Sequence, residues 1–251
     1  MTVETFSLTW RQWFALALIA DLCLLTAFML LSSKQEMPLN KTGAADSIDQ
    51  PLDRFAADIH AFEQQDKDHP PPPGGTVFIG SSTFSLAAPM LVQYFADFNP
   101  IVRAFGGSTI PEINHYIEQT VLKYQPAKIV FYAGPNDIAD GHSGMRVLQD
   151  FAKFASLVSA RLPHTEIIFI SMSVAPSRLQ WHEQYAEGNR LIQQLAEQIS
   201  FIKYVDVTHV MYDAEGKLHT DWFLEDQLHM NHLGYEAWLP IILHALRSQS
   251  A

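Results

Sequence analysis

From about residue 51 onward, short apolar runs alternate with longer stretches in which apolar residues recur at helical spacing. The runs fall at 76–80 (Thr-Val-Phe-Ile-Gly), 101–105, 128–133, 166–171 and 202–207, and they are rich in Ile, Val, Phe and Tyr. Such runs read as buried strands. The stretches between them predict helices near 84–96, 112–124, 146–161, 183–199 and 233–247. Strands alternating with helices require crossover connections, and these give a parallel sheet covered on both faces. The expectation is one doubly wound α/β domain. Ahead of the first strand, Phe55, Ile59 and Phe62 recur with Asp53, Arg54, Asp58 and Glu63 between them, which predicts an amphipathic helix at about 51–66. The proline run after His69 ends that helix and leads stiffly to the strand.

Upstream the pattern differs. Residues 13–31 form an apolar run broken only by Asp21 and Thr26. As a helix it would span about 28 Å, close to the thickness of a bilayer's hydrocarbon core. A single-span anchor at 1–33 is the reading adopted, with a cleavable signal peptide as its rival. The flank Leu31-Ser32-Ser33-Lys34 has no A-x-A-like cleavage site, and Leu22 before Cys23 is too large for a lipoprotein signal. Asp21 would cost roughly 2.5–3.5 kcal/mol at mid-membrane on insertion scales. Arg11 on one flank against Lys34 and Lys41 on the other carries little orientation signal. The polar residues 34–50 read as a tether, so that 34–73 joins the anchor to a domain at 74–251.

Composition narrows the function. The chain has 251 residues, 48% hydrophobic, and a net charge of −11 without any cluster of Lys and Arg. That balance argues against nucleic acid as a partner. Cys23 is the single cysteine, so an internal disulfide and a cysteine-based metal site are both excluded.

Candidate chemistry gathers just past the strand ends, where ligands bind on open α/β sheets. Gly80-Ser81-Ser82 follows the first strand, Gly106-Gly107-Ser108-Thr109 the second and Gly134-Pro135-Asn136-Asp137 the third, while Asp226-Gln227-Leu228-His229 precedes the last helix. A serine hydroxyl becomes a nucleophile when a histidine can take its proton, and the histidine needs a carboxylate to orient it. Asp226 and His229, three residues apart, can share one side of a turn. Backbone N–H groups at Ser82 and Gly107, with the Asn136 amide, could hold an oxyanion. Asp226, His229 and His232 also form a D-x-x-H-x-x-H run able to hold a metal. Asp137 reads as structural. Arg178 could meet an anionic substrate group or pair with a surface acid. Trp181, Trp222, Tyr235 and Trp238 read as core aromatics.

Taken together, these four blocks resemble the SGNH hydrolases, the GDSL-type esterases and lipases. Gly80-Ser81-Ser82, Gly107, Gly134-x-Asn136-Asp137 and Asp226-x-x-His229 stand in that family's order, and the resemblance covers roughly 74–240. It implies a three-layer α/β/α sandwich, flavodoxin-like, with a five-stranded parallel sheet. It also implies a serine esterase working through an acyl-enzyme, with Ser82, Asp226 and His229 catalytic and Ser82, Gly107 and Asn136 as the oxyanion hole. No metal or organic cofactor is implied. Two departures are visible: Ser81 stands where many members carry Asp, and Pro135 fills the variable position of the third block. The substrates implied are acyl esters of lipids, lysophospholipids or acetylated sugars, with specificity in loops such as 138–146 and 173–182. With the anchor, the expected location is a single-pass membrane protein whose hydrolase domain lies on the extracytoplasmic (periplasmic) side. A non-catalytic binding module on the same fold and a metal-dependent hydrolase are the competing readings.

Overall fold

The structure, a computed structural model, describes residues 52–248. The apolar run at 13–31 lies outside the described residues. Among the described residues no helix is long and apolar enough to cross a membrane.

Five parallel strands form the centre: β1 (Thr76–Gly80), β2 (Pro100–Val102), β3 (Lys128–Tyr132), β4 (Glu166–Ile170) and β5 (Ile202–Val205), in the order β2-β1-β3-β4-β5. That order reverses direction between β1 and β3, which opens a crevice at the carboxyl edge of the sheet. Alternation along each strand sends side chains into two separate cores. Val77, Ile79, Ile129, Phe131, Ile167 and Phe169 enter one, while Phe78, Val130, Tyr132, Ile168 and Ile170 enter the other. This double burial is why the strands read as continuous apolar runs.

The first core is closed by α1 (Ala56–Asp68), α4 (Ile110–His115), α5 (Ile117–Thr120), α6 (Pro135–Ala139), α7 (Gly144–Arg161) and α8 (His182–Ala196). The second is closed by α2 (Ser82–Leu86), α3 (Ala88–Tyr94) and α9 (His232–Arg247). In the first core the Phe131 ring lies 5.2 Å from that of Phe151, 4.7 Å from Phe154 and 5.8 Å from Phe169. Such ring pairs add about 0.5–1.5 kcal/mol each beyond the area they bury.

Two expected helices are broken. The stretch at 84–96 divides at Ala87 into α2 and α3, because Pro89 near the start of α3 cannot donate to the preceding turn. The stretch at 112–124 becomes α4, α5 and a short 3₁₀ turn at Leu122–Tyr124; Ile110, Ile113, Ile117 and Val121 favour packing over helix continuity. The edge strand β2 ends at Val102, earlier than expected. Arg103 and Phe105 still donate to the carbonyls of Phe78 (2.9 Å) and Gly80 (3.0 Å), so the chain remains laced to β1.

The segment read as a tether carries α1, which packs on the domain. Phe55, at its N-terminal boundary, and Ile59 are buried in the first core. Near its C-terminal end, Asp66 meets Arg103, Lys123 and the Tyr124 hydroxyl (2.6 Å). Burial raises the cost of that charge, but the Lys123, Tyr124 and Arg103 donors win and hold the Asp66 carboxyl below its usual range.

Candidate active site

The strand register dictates where the site forms. Gly80 pairs with Tyr132 across β1 and β3, and a Cβ at position 80 would meet the Tyr132 carbonyl oxygen at 2.1 Å. Only glycine fits so close an approach. The reason for this glycine is therefore its contact with β3. Ser81, buried, donates its N–H to the same carbonyl at 3.3 Å, and its own carbonyl accepts from Phe84 and Ser85. Ser82 is thereby set at the first position of α2, with its hydroxyl at the sheet edge.

The Ser82 Oγ lies 3.0 Å from His229 Nε2, and His229 Nδ1 lies 2.6 Å from Asp226 Oδ2. The turn that carries this pair is tightly bonded. Asp226 Oδ1 accepts from the N–H groups of Leu228 (2.9 Å) and His229 (3.0 Å), while Leu224 donates to the His229 carbonyl at 2.8 Å. The backbone N–H of His229, its ring, and the Leu228 N–H together hold the Asp226 carboxyl down at about 2. It is an anion throughout the working range of a histidine. Tyr235 of α9 donates to the Thr83 carbonyl at 2.8 Å and fastens this last segment to the serine turn.

The second and third blocks converge from the other side. Gly107 has φ of +81°, a left-handed conformation that favours glycine. The Asn136 amide bridges the two blocks: its Nδ2 donates to the Ser108 carbonyl at 3.1 Å, and its Oδ1 accepts from Arg178 Nη2 at 3.0 Å. Arg178 does not make the surface ion pair weighed from the sequence, and it lines the cavity beside Ser82. Among the described residues no carboxylate lies within ion-pair distance of it, and it orients the asparagine instead. Nothing in the motif spacing signalled this, because Arg178 lies in a 3₁₀ turn (Pro176–Trp181) tied to the Asp226 loop through Ser177 N–H and the Gln227 carbonyl, 3.0 Å. Pro135 is accommodated because it occupies the first position of α6, where its missing N–H is not needed, and its carbonyl accepts from the Tyr185 hydroxyl at 3.3 Å.

The D-x-x-H-x-x-H run does not gather. Both ring nitrogens of His229 face Asp226 and Ser82, and His232 is exposed at the start of α9. Of the four aromatics, Tyr235 and Trp238 are buried in the second core, while Trp181 and Trp222 are half-buried.

Asp137 is structural in its contacts. It is fully buried, and its Oδ1 accepts from Ile110 N–H at 3.0 Å, which fixes the start of α4. Its Oδ2 and the His142 Nδ1 are buried without hydrogen-bond partners, and their atoms gather with one of Asp150 within 4.8 Å, the three-donor grouping found among the described residues. Arg146 supplies the positive charge there, bonded to Asp150 at 2.7 Å. Burial, reinforced by Asp150 and Asp140, pushes the Asp137 carboxyl up to about 8. The unfolded chain releases this proton near pH 4, roughly the free carboxyl value, so between about 4 and 8 the native state binds the extra proton. Stability from this group therefore falls as pH rises across that window. Asp137→Asn keeps the acceptor for Ile110 and is expected to flatten the loss of unfolding midpoint between pH 5 and 8. An unchanged slope in urea titrations at the two pH values would assign the effect elsewhere.

This arrangement can activate a hydroxyl for attack on a carbonyl and gather donors beside it. The model of the GDSL-like lipase/acylhydrolase family matches residues 79–237. No curated protein matches the chain. Among solved structures, a Bacteroides fragilis protein assigned as an acylhydrolase is 22% identical, with 81% of this chain and 98% of that one covered and a TM-score of 0.65. A GDSL-like lipase from Bacteroides thetaiotaomicron is 20% identical, covering 76% and 97%, with a TM-score of 0.59. A catalytic mutant of Axe2, an acetylxylan esterase from Geobacillus stearothermophilus, is 15% identical, covering 72% and 97%, with a TM-score of 0.55. At such identities these likenesses concern the fold, whereas the family model spans more than half of the chain and carries both the Ser82 and the His229 blocks. The chain belongs to the GDSL-like lipase/acylhydrolase family and is a carboxylic ester hydrolase.

Proposed function

We propose that the enzyme hydrolyses short-chain acyl esters of a polar alcohol, through a serine-bound acyl intermediate. The observation that carries this reading is the unbroken line from Asp226 through His229 to Ser82, at 2.6 and 3.0 Å. Ser82 Oγ attacks the acyl carbonyl as His229 Nε2 takes its proton. Asp226 holds the ring tautomer and stabilises the imidazolium. The tetrahedral oxyanion is met by the N–H groups of Ser82 and Gly107 and by Asn136 Nδ2. His229 then returns the proton to the leaving alcohol, and water activated by the same ring releases the acid.

Pocket size supports the short acyl chain. The cavity beside Ser82 and His229 has a volume of 40 Å³, walled by Tyr132, Pro135, Ala175 and Tyr185. That is far below the roughly 300 Å³ at which pockets for larger ligands begin. A cavity of that size suits an acetyl-sized group. A second crevice of 560 Å³ shares Ser173 and Tyr185 with it and is lined by polar groups including Asn189, Arg190 and Asp206, which suits a hydroxyl-rich alcohol such as a sugar. One structural neighbour is an acetylxylan esterase, whose substrate is an acetyl ester of such an alcohol.

A series of nitrophenyl esters tests the reading. kcat/KM is expected to fall at least about tenfold from acetate to octanoate, since forcing extra methylenes into a space already filled costs about 1–3 kcal/mol. Values that stay level or rise with chain length would point to lipolysis instead. Fluorophosphonate labelling of the full chain should modify Ser82, and hydrolysis without that label would remove the serine mechanism. The apolar run at 13–31 is read as anchoring this domain to a membrane from the extracytoplasmic side; release of the full chain by alkaline carbonate would sink that assignment.

A further inference from the structure

The oxyanion donor expected at Gly107 belongs to a diglycine loop with little of its own to hold it. Gly107 is exposed, and a Cβ built there would meet nothing within 4 Å, so the loop faces open space on that side. Hydrogen bonds to its backbone are what hold it on that side. Ser108 N–H donates to the Phe105 carbonyl at 3.3 Å and Asn136 holds the Ser108 carbonyl, but the Gly107 carbonyl is gripped from outside the sheet. Arg54, just ahead of α1, donates from Nη2 to the Gly107 carbonyl at 3.0 Å.

The same guanidinium is anchored on Glu112. Its Nε and Nη2 meet the two carboxylate oxygens, the second at 2.9 Å. The Glu112 side chain is 2% exposed and also accepts from the N–H (2.8 Å) and hydroxyl (2.9 Å) of Thr109. These donors, Arg54 foremost, overcome the burial that opposes its charge and hold its carboxyl below the usual range. The planar fork of an arginine can hold a carboxylate and a carbonyl at once, which an ammonium on a flexible stem cannot do with fixed geometry. The next residue adds a second grip: the Phe55 ring lies edge-on to Phe105 at 4.8 Å, with the Arg54 guanidinium 4.5 Å from its centre. Two consecutive residues therefore hold both ends of the segment from Phe105 to Gly107.

We infer that Arg54 is a positioning residue for the oxyanion hole: its grip on the Gly107 carbonyl fixes the Gly107–Ser108 peptide, and with Phe55 packed on Phe105 at the other end it limits rotation of the intervening Gly106–Gly107 peptide, whose N–H would face the developing oxyanion. This rests on the serine mechanism proposed above. The segment that leads in from residue 52 is then part of the catalytic apparatus, and deleting or pulling on it reaches the reacting carbonyl through one side chain.

The test uses the full chain with nitrophenyl acetate. Wild type must first be labelled by fluorophosphonate at Ser82; failure there removes the serine mechanism, and with it the oxyanion that Arg54 would serve, so the inference falls together with that mechanism. With wild type labelled, Arg54→Ala is expected to lower kcat about tenfold to a hundredfold, less than loss of a whole oxyanion donor, with KM within about twofold. Because Arg54→Ala leaves Glu112 buried without its cation, Arg54→Lys is the companion variant. Lysine restores the charge, so the unfolding midpoint should recover while kcat stays depressed. If Arg54→Lys recovers kcat along with stability, Arg54 is only a charge partner and the inference falls. A rise in KM at unchanged kcat overturns it equally.

Discussion

Ser82→Ala should reduce turnover of nitrophenyl acetate by a factor on the order of 10⁴–10⁶, leaving substrate affinity and folding nearly unchanged. The hydroxyl's hydrogen-bond partner is the His229 ring at 3.0 Å, and the turn around it is held by backbone contacts: Gly80 against β3, Ser81 N–H on the Tyr132 carbonyl, and the Ser81 carbonyl accepting from Phe84 and Ser85. Removing one oxygen therefore takes away the nucleophile and little else. The residual rate is what positioning and the oxyanion donors still provide. Stopped-flow and steady-state assays with active-site titration would check it. Turnover near the wild-type level in a preparation free of contaminating esterase would rule out Ser82 as nucleophile.

Asn136→Ala is expected to cost about 10²–10³ in kcat with little change in KM, the signature of a group that bonds the transition state more strongly than the substrate. The amide is held on both sides, by Arg178 at its oxygen and by the Ser108 carbonyl at one N–H. One N–H remains for the oxyanion. The arginine also draws electron density toward Oδ1 and so strengthens that donor. If kcat falls less than about threefold, the oxyanion is held by backbone N–H groups alone.

Much of this was legible in the residues, and the boundary of what was legible has physical causes. The five runs read as strands because each is buried on both faces, and the four polar blocks stood out because they interrupt apolar segments at one sheet edge. Arg178 was visible as a candidate, but its partner was not, since nothing local distinguishes an arginine bonded to a surface acid from one bonded to an amide 42 positions away. Arg54 was hidden more deeply. It looked like one polar position of an amphipathic helix, and only tertiary packing reveals that this position faces Glu112 and Gly107. Asp137, read as structural, serves as the acceptor that starts α4. Helix breaks at Ala87 and Tyr116 were missed because apolar spacing continues through them while the backbone does not.

The span of the Ser82–His229 contact has a consequence for the chain's history. The two residues lie 147 positions apart, and the Tyr235–Thr83 bond that fastens them spans 152. Ribosomes add about 5–20 residues each second, so the serine waits roughly seven to thirty seconds before its base has even been made. Throughout synthesis the nascent polypeptide carries an ordinary, unreactive alcohol. The hydroxyl gains its base only when the segment carrying Asp226 and His229 joins the serine turn, so turnover reports that long-range contact.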